Sequence, residues 1–216
     1  MQDRPERLSR TLWIGVGLLI VILCATYVLS RLEPQRPGPR AVLGVVADFT
    51  LTNQFGAPVS LADLRGFVWV ADIIFTRCAG PCPRMTQQMK ALQDALPPDS
   101  RVRLITLTTD PDFDTPPVLR AYAERFGADP KRWWFLTGNK QQIAALAIDS
   151  LKLTTLEKKP EERESPADLF IHATTFVLVD KHGRLRDVFE TTGEDVDPTI
   201  VQAQILARIR QLERER

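Results

Sequence analysis

Two thiols four residues apart, Cys78 and Cys82, sit in the stretch Thr76-Arg77-Cys78-Ala79-Gly80-Pro81-Cys82-Pro83. An apolar run precedes this stretch and a helical pattern follows it, so the thiols lie where a strand hands over to a helix. A cysteine pair at such a junction can bind a soft metal or exchange disulfides, and a helix N-terminus favours thiolate in either use. If the first turn of the helix includes both residues, their Cβ atoms lie about 5 to 6 Å apart. That is wider than the roughly 3.5 to 4.5 Å of a relaxed disulfide, but two thiolates at that spacing can straddle one ion. Gly80 and Pro81 let the intervening loop bulge, and Pro83 biases Cys82 away from helical geometry, so a disulfide also stays open.

Two soft thiolates favour Cu(I) or Zn(II), and neither ion is content with two ligands. Zinc normally closes a four-ligand site, and the third cysteine, Cys24, is remote, inside an apolar N-terminal stretch. Copper tolerates three ligands. The chain has two histidines. His182, in Lys181-His182-Gly183, reads as a solvated turn residue. His172 stands at the mouth of a predicted strand and at the end of a long polar loop, which makes it the candidate third ligand against the commoner structural use of a lone histidine. Met85 and Met89 are soft donors too, but their spacing along a helix face assigns them to packing. Asp72 interrupts the apolar run before the thiols, either solvated at the strand's edge or near the site. Asp110 and Asp114 fall in one acidic loop, where Asp114, before Thr115-Pro116, serves a helix cap as readily as a site.

The elements that must position these residues follow from periodicity. Residues 67–75 are nearly all apolar, β-branched or aromatic, the pattern of a central strand buried on both faces. Met85, Met89, Leu92 and Leu96 recur at helical spacing over 83–96, and Pro97-Pro98 ends that helix. Residues 101–108 alternate as a strand, 115–126 read as a helix, 133–136 as a short strand and 139–149 as a helix. Residues 48–52 and 58–61, joined by Asn53-Gln54-Phe55-Gly56, form a hairpin. Strands over 172–180 and 184–190 meet at Lys181-His182-Gly183, and 197–212 form a last helix with a core stripe of Ile200, Ala203, Ile205, Leu206 and Ile209. Residues 150–168, polar and rich in lysine and glutamate, are a long excursion and a candidate functional loop. The order gives an α/β thioredoxin-like sandwich with an N-terminal hairpin and a long insert.

One transmembrane helix is expected before that domain. Residues 11–30 carry no charge, and at 1.5 Å per residue they span a hydrocarbon core of about 30 Å. Trp13 and Tyr27 sit near the ends, where interfacial aromatics belong. No small-x-small cleavage pattern follows at a convincing place, and Leu23 stands where lipidation at Cys24 needs a small residue, so Cys24 reads as a small apolar residue. Arg4, Arg7 and Arg10 balance Arg31, Arg36 and Arg40, so flanking charge leaves orientation open. The expected organisation is therefore a tail over 1–10, an anchor over 11–30, a proline-rich tether over 31–41 and a domain over 42–216. A formal net charge of +1 over 216 residues, with 25% charged, gives no electrostatic footprint for nucleic acid.

Phe75-Thr76-Arg77-Cys78 with Cys82-Pro83, then Asp110-Pro111-Asp112-Phe113-Asp114-Thr115-Pro116, Trp134-Phe135-Leu136-Thr137-Gly138, and Ile171-His172 through Asp180 and Gly183 resemble the SCO/SenC family in order and spacing, from about residue 48 to 190. The resemblance implies a membrane-anchored thioredoxin-fold protein that binds copper and helps mature cytochrome c oxidase. It further implies Cys78, Cys82 and His172 as copper ligands and the dinuclear copper site of oxidase subunit II as the receiving partner. Two departures stand out. Ala79-Gly80-Pro81 replaces the acidic and aliphatic residues that the family commonly carries, and Ala173 follows the histidine where serine is frequent. The leading expectation is a copper chaperone, a binding and transfer protein rather than an enzyme with turnover, carrying Cu(I) and, in some states, Cu(II). The alternative is a membrane-anchored thiol-disulfide oxidoreductase using Cys78 and Cys82 alone, recharged by a thioredoxin-like reductant. A peroxide-reducing enzyme shares the fold, and nothing beyond that analogy supports it. Anchor and copper chemistry together place the domain on the extracytoplasmic side, the bacterial periplasm or its mitochondrial equivalent.

Overall fold

A computed structural model of the chain describes residues 13, 15–16, 18–23, 41–162 and 169–215, without the side chains of 160, 171 and 172. The chain divides into two compact units, Met1–Arg40 and Ala41–Arg216. Of the expected anchor, residues 13, 15–16 and 18–23 are described and are helical. Cys24 and the tether over 31–40 lie outside the described residues. Among the described residues no helix is long and apolar enough to cross a membrane.

From Ala41 the chain forms β1 (Gly44–Val45), β2 (Thr50–Asn53), β3 (Pro58–Ser60), α1 (Leu61–Leu64), β4 (Val68–Ile74), α2 (Cys82–Ala95), β5 (Val102–Thr108) and α3 (Pro116–Arg125). It continues through β6 (Trp133–Thr137), α4 (Lys140–Ala144) running on as a π-helical turn (Ala145–Ser150), β7 (Thr155–Glu157), a 3-10 turn (Pro160–Glu162), β8 (Phe170–His172), β9 (Thr175–Val179), β10 (Arg184–Glu190) and α5 (Pro198–Arg214). Among the described residues eight strands make one mixed sheet in the order β1-β10-β9-β4-β5-β6-β2-β3, while β7 and β8 form a separate ribbon. β4, β5 and β6 are parallel, and β9 joins β4 antiparallel.

β4 is buried at all seven positions, as its apolar run requires. Strand alternation splits it. Val68, Val70 and Ile74 face one cluster with Met85, Met89 and Leu92 of α2, Leu119 and Tyr122 of α3, and Ile205 and Ile209 of α5. Trp69, Ala71 and Ile73 face a second cluster with Leu61 and Leu64 of α1 and Ile143 and Leu146 beyond β6. The sheet is therefore covered on both faces, which is why β4 reads as continuous rather than alternating sequence. The N-terminal hairpin forms with Thr50 opposite Ser60, and β2 docks on β6 to make that hairpin the sheet's edge. Its turn is tied by Asn53 Oδ1, which accepts from the amides of Phe55 and Ala57, and Gly56 takes a φ of +79°.

The strand expected over 172–180 is broken in two. His172 ends β8, and β9 starts only at Thr175. At the break the Ala173 amide donates to the Thr154 carbonyl at 2.7 Å, and the Thr174 carbonyl accepts from the amide and hydroxyl of Thr191. These long-range bonds turn the chain out of the main sheet, so His172 belongs to the ribbon made by the insert, opposite Thr155. The excursion over 150–168 is in part built: Leu151 and Leu153 are buried and β7 follows.

Candidate metal and thiol site

β4 delivers the chain to Phe75, buried at the end of the central strand, and the thiol loop turns from there into α2. The helix begins at Cys82, with Pro81 in the cap position and Pro83 in the first turn. Cys78 is thus in the loop and not in the helix, so the one-face helical spacing does not hold for the pair. The reason is local: Gly80-Pro81 carries the turn, and proline is tolerated in a first turn because its missing N–H has no intrahelical acceptor there.

Cys78 is half-buried and Cys82 fully buried, and both are present as thiols. The Cys78 amide donates to the Phe75 carbonyl at 3.2 Å, and the Gly80 amide donates to Cys78 Sγ at 3.3 Å. Burial pushes the Cys82 thiol far up; the hydrogen-bonded Cys78 sulfur and its charge add to this, a backbone hydrogen bond from Phe75 opposes it, and the Asp72 carboxyl raises it further. The two sulfurs are therefore inequivalent, an accessible one over a buried one.

Behind Cys82, Thr86 donates to its carbonyl at 2.9 Å and shares a hydrogen bond with Tyr122 Oη at 2.9 Å. Burial raises the Tyr122 phenol, Thr86 lowers it, and Cys82 and Asp72 raise it again. Asp72 is 0% exposed and shares the strand parity of Val70 and Ile74, which places it near the site and not at a solvated edge.

The acidic loop lies beside the thiol loop. Asp110 pairs with Arg77 at 2.5 Å, and the Arg77 guanidinium stands 4.1 Å from the Phe113 ring centre. Asp114 does not cap α3, whose cap position is Thr115. It is buried, accepts from the Thr76 amide at 3.1 Å and from the Thr76 and Thr108 hydroxyls, and so pins the entry to the thiol loop. Burial pushes its carboxyl up against those hydrogen bonds, with the nearby Asp110 adding.

Met85 and Met89 are buried in the α2 cluster, as packing requires. His182 is exposed in the β9–β10 turn, and β9 separates it from His172. The backbone of His172 is in β8, with its side chain outside the described residues. Among the described residues no group of three or more His, Cys, Asp or Glu side chains is gathered to hold an ion. Sequence reasoning missed Arg77, Phe113, Tyr122 and Phe170. Only Arg77 had a signal, a cation directly before the first thiol.

A mixed sheet with helices on both faces and a thiol pair at the exit of its central strand defines a thioredoxin-like protein. The SCO1/SenC family profile matches residues 38–209, and the chain belongs to that family. The SCO1 protein homolog of Bacillus subtilis is 38% identical over 199 residues, 89% of this chain and 96% of that one. The solved structure of BsSco, described as a member of the Sco family of cytochrome c oxidase assembly proteins with a disulfide switch, is 32% identical with a TM-score of 0.68, covering 82% of this chain and 98% of that chain. The fold also matches Bradyrhizobium japonicum ScoI with copper bound, at 22% identity and a TM-score of 0.62, over 78% of this chain and 99% of that one.

Proposed function

We propose that this chain is a copper-binding protein that delivers copper to the dinuclear copper site of cytochrome c oxidase subunit II, or reduces the cysteines of that site, with Cys78, Cys82 and His172 as copper ligands. The observation that carries it is the accessible Cys78 sulfur hydrogen-bonded to the buried Cys82 at the start of α2, beneath an insert whose strand β8 ends in His172. Two thiolates and an imidazole suit copper as cargo. The protein's own part is to offer the Gly80 amide to Cys78, to bury Cys82 from water, and to hold the thiol loop through Phe75 and Asp114. Membership of the SCO1/SenC family, with BsSco described as one of the Sco family of cytochrome c oxidase assembly proteins, supports the same reading.

In this account residues 11–30 anchor the chain, 31–41 tether it, and the domain over 42–216 works outside the cytoplasm, where thiols can cycle with disulfides. The decisive experiment is copper and thiol content of the reduced chain supplied with copper. One copper per chain with both thiols of the pair protected from alkylation is expected; no bound copper would contradict the proposal.

The inequivalence of the two sulfurs favours a second use of the same residues. Cys78 thiolate attacks a partner disulfide, forming a mixed disulfide and releasing one partner thiolate. Cys82, on losing its proton, attacks Cys78, forming the internal disulfide and releasing the second partner thiol. Two electrons pass to the partner, and a thioredoxin-like reductant restores the pair. Reductase turnover retained in His172→Ala separates this use from copper binding.

A further inference from the structure

The ribbon of β7 and β8 stands apart from the eight-stranded sheet, and the ladder partner of β8 is β7. Phe170, beside Leu169, seats it on the domain. Its ring meets Phe75 edge-on, with centroids 5.2 Å apart and planes at 64°. With Leu169 it packs on the cluster that contains Cys82 and Met85, against which Cys78 also rests. A further side-chain tie, Lys140 to Glu157 at 2.5 Å between half-exposed side chains, is the kind of surface pair that contributes little.

Phe75 is also the residue that fixes the thiols. Its carbonyl holds the Cys78 amide, and its backbone bonds to the Cys82 sulfur. One buried residue therefore carries the thiol loop on its backbone and the histidine strand on its ring. His172 follows Phe170 by two residues, about 7 Å along the strand.

We infer that Phe170 is a positioning residue for the proposed copper site: its ring on Phe75 sets the place of β8, and so of His172, relative to Cys78 and Cys82. The inference rests on the reading of His172 as third ligand. Chemistry that uses the two thiols alone is indifferent to where β8 lies, whereas metal binding that needs the histidine is not. Phe170 is thus the residue at which the two uses of the thiol pair part.

The test is Cu(I) affinity of the full reduced chain, measured by competition with a chromophoric chelator, in the parent, Phe170→Ala, His172→Ala and the double variant. The midpoint of the Cys78–Cys82 dithiol-disulfide couple is measured on the same proteins in a glutathione buffer. Phe170→Ala weakens Cu(I) binding roughly 10- to 100-fold, the range for residues that orient metal ligands, and leaves the thiol couple at the parent's value. The double variant binds no more weakly than His172→Ala, and Phe170→Tyr, which keeps the ring, binds as the parent does. Parent-like affinity in Phe170→Ala beside a weakened His172→Ala would overturn the positioning role and leave the ligand reading intact. Parent-like affinity in His172→Ala would overturn the ligand reading and the inference with it. Additive losses in the double variant, or a Phe170→Ala protein whose thiol couple shifts as well, would reduce Phe170 to general packing and equally refute the role.

Discussion

The two ends of the central sheet treat buried charge in opposite ways. At the thiol end burial wins: the Cys82 thiol, the Asp114 carboxyl and the Tyr122 phenol are all pushed up, towards their neutral forms. At the far end, around the β9–β10 turn, bonds win. Burial alone would raise Asp180, but the amides of Arg184 and His182 and the side chains of Arg186 and Arg184 outweigh it and hold its carboxylate low. Burial would lower Arg186, and Glu215 and Asp180 instead hold it up. Arg186 and Asp180 are each 3% exposed and 3.0 Å apart, and Glu215 of the chain's last turn closes the group at 2.7 Å. The far end is thus fixed in its charged state and clamps α5 to the sheet. At the thiol end burial instead makes Cys82 hold its proton, so taking up an ion there must displace that proton.

The comparison breaks if its ends can be exchanged. Cys78→Ala, at the half-buried thiol, is expected to weaken Cu(I) binding by more than the roughly 10- to 100-fold typical of an outer-shell change, while leaving the urea midpoint near the parent's. The mirror result is Asp180→Ala, which takes one of two carboxylates from buried Arg186 and leaves it Glu215, at a stability cost below the roughly 3 to 5 kcal/mol of a fully uncompensated buried charge, read from urea unfolding, with copper stoichiometry unchanged.

A pH series separates the ends by sign. Asp180 has a folded value below the ordinary 3.8, so its contribution is present above that pH and is lost as pH falls through the folded value. Asp114 has a folded value above 3.8, so its contribution is complete below 3.8 and is lost as pH rises through the raised value. Urea midpoints should therefore rise less steeply with pH on the acid limb in Asp180→Asn and more steeply just above pH 3.8 in Asp114→Asn. Matching slopes in both variants would remove the distinction. The smallest effect is expected from Lys140→Ala, which removes the exposed pair with Glu157 at a cost under about 1 kcal/mol and no loss of copper.

Much of this was legible in the sequence because it is local. The fully buried β4, the α2 stripe of Met85, Met89 and Leu92, the Asn53–Gly56 turn and the thiol pair at the strand exit each follow from residue types within one element. What was not legible depends on partners far along the chain. The strand expected over 172–180 breaks after His172 because Ala173 and Thr174 bond to Thr154 and Thr191, and it resumes at Thr175. Asp114 looks like a cap in sequence, yet its partners are Thr76, 38 residues away, and Thr108. The helical spacing of Cys78 and Cys82 failed for a local reason of another kind, the Gly80-Pro81 turn that delays the start of α2.

The central claim is that the two thiols and His172 act as one copper site. Cu(I) competition on the parent and His172→Ala tests it most directly. The account predicts one copper per parent chain and an affinity at least about tenfold lower without the histidine, by analogy with the loss that even an outer-shell change brings. Equal affinity in the two proteins would contradict it and leave Cys78 and Cys82 as a thiol pair alone.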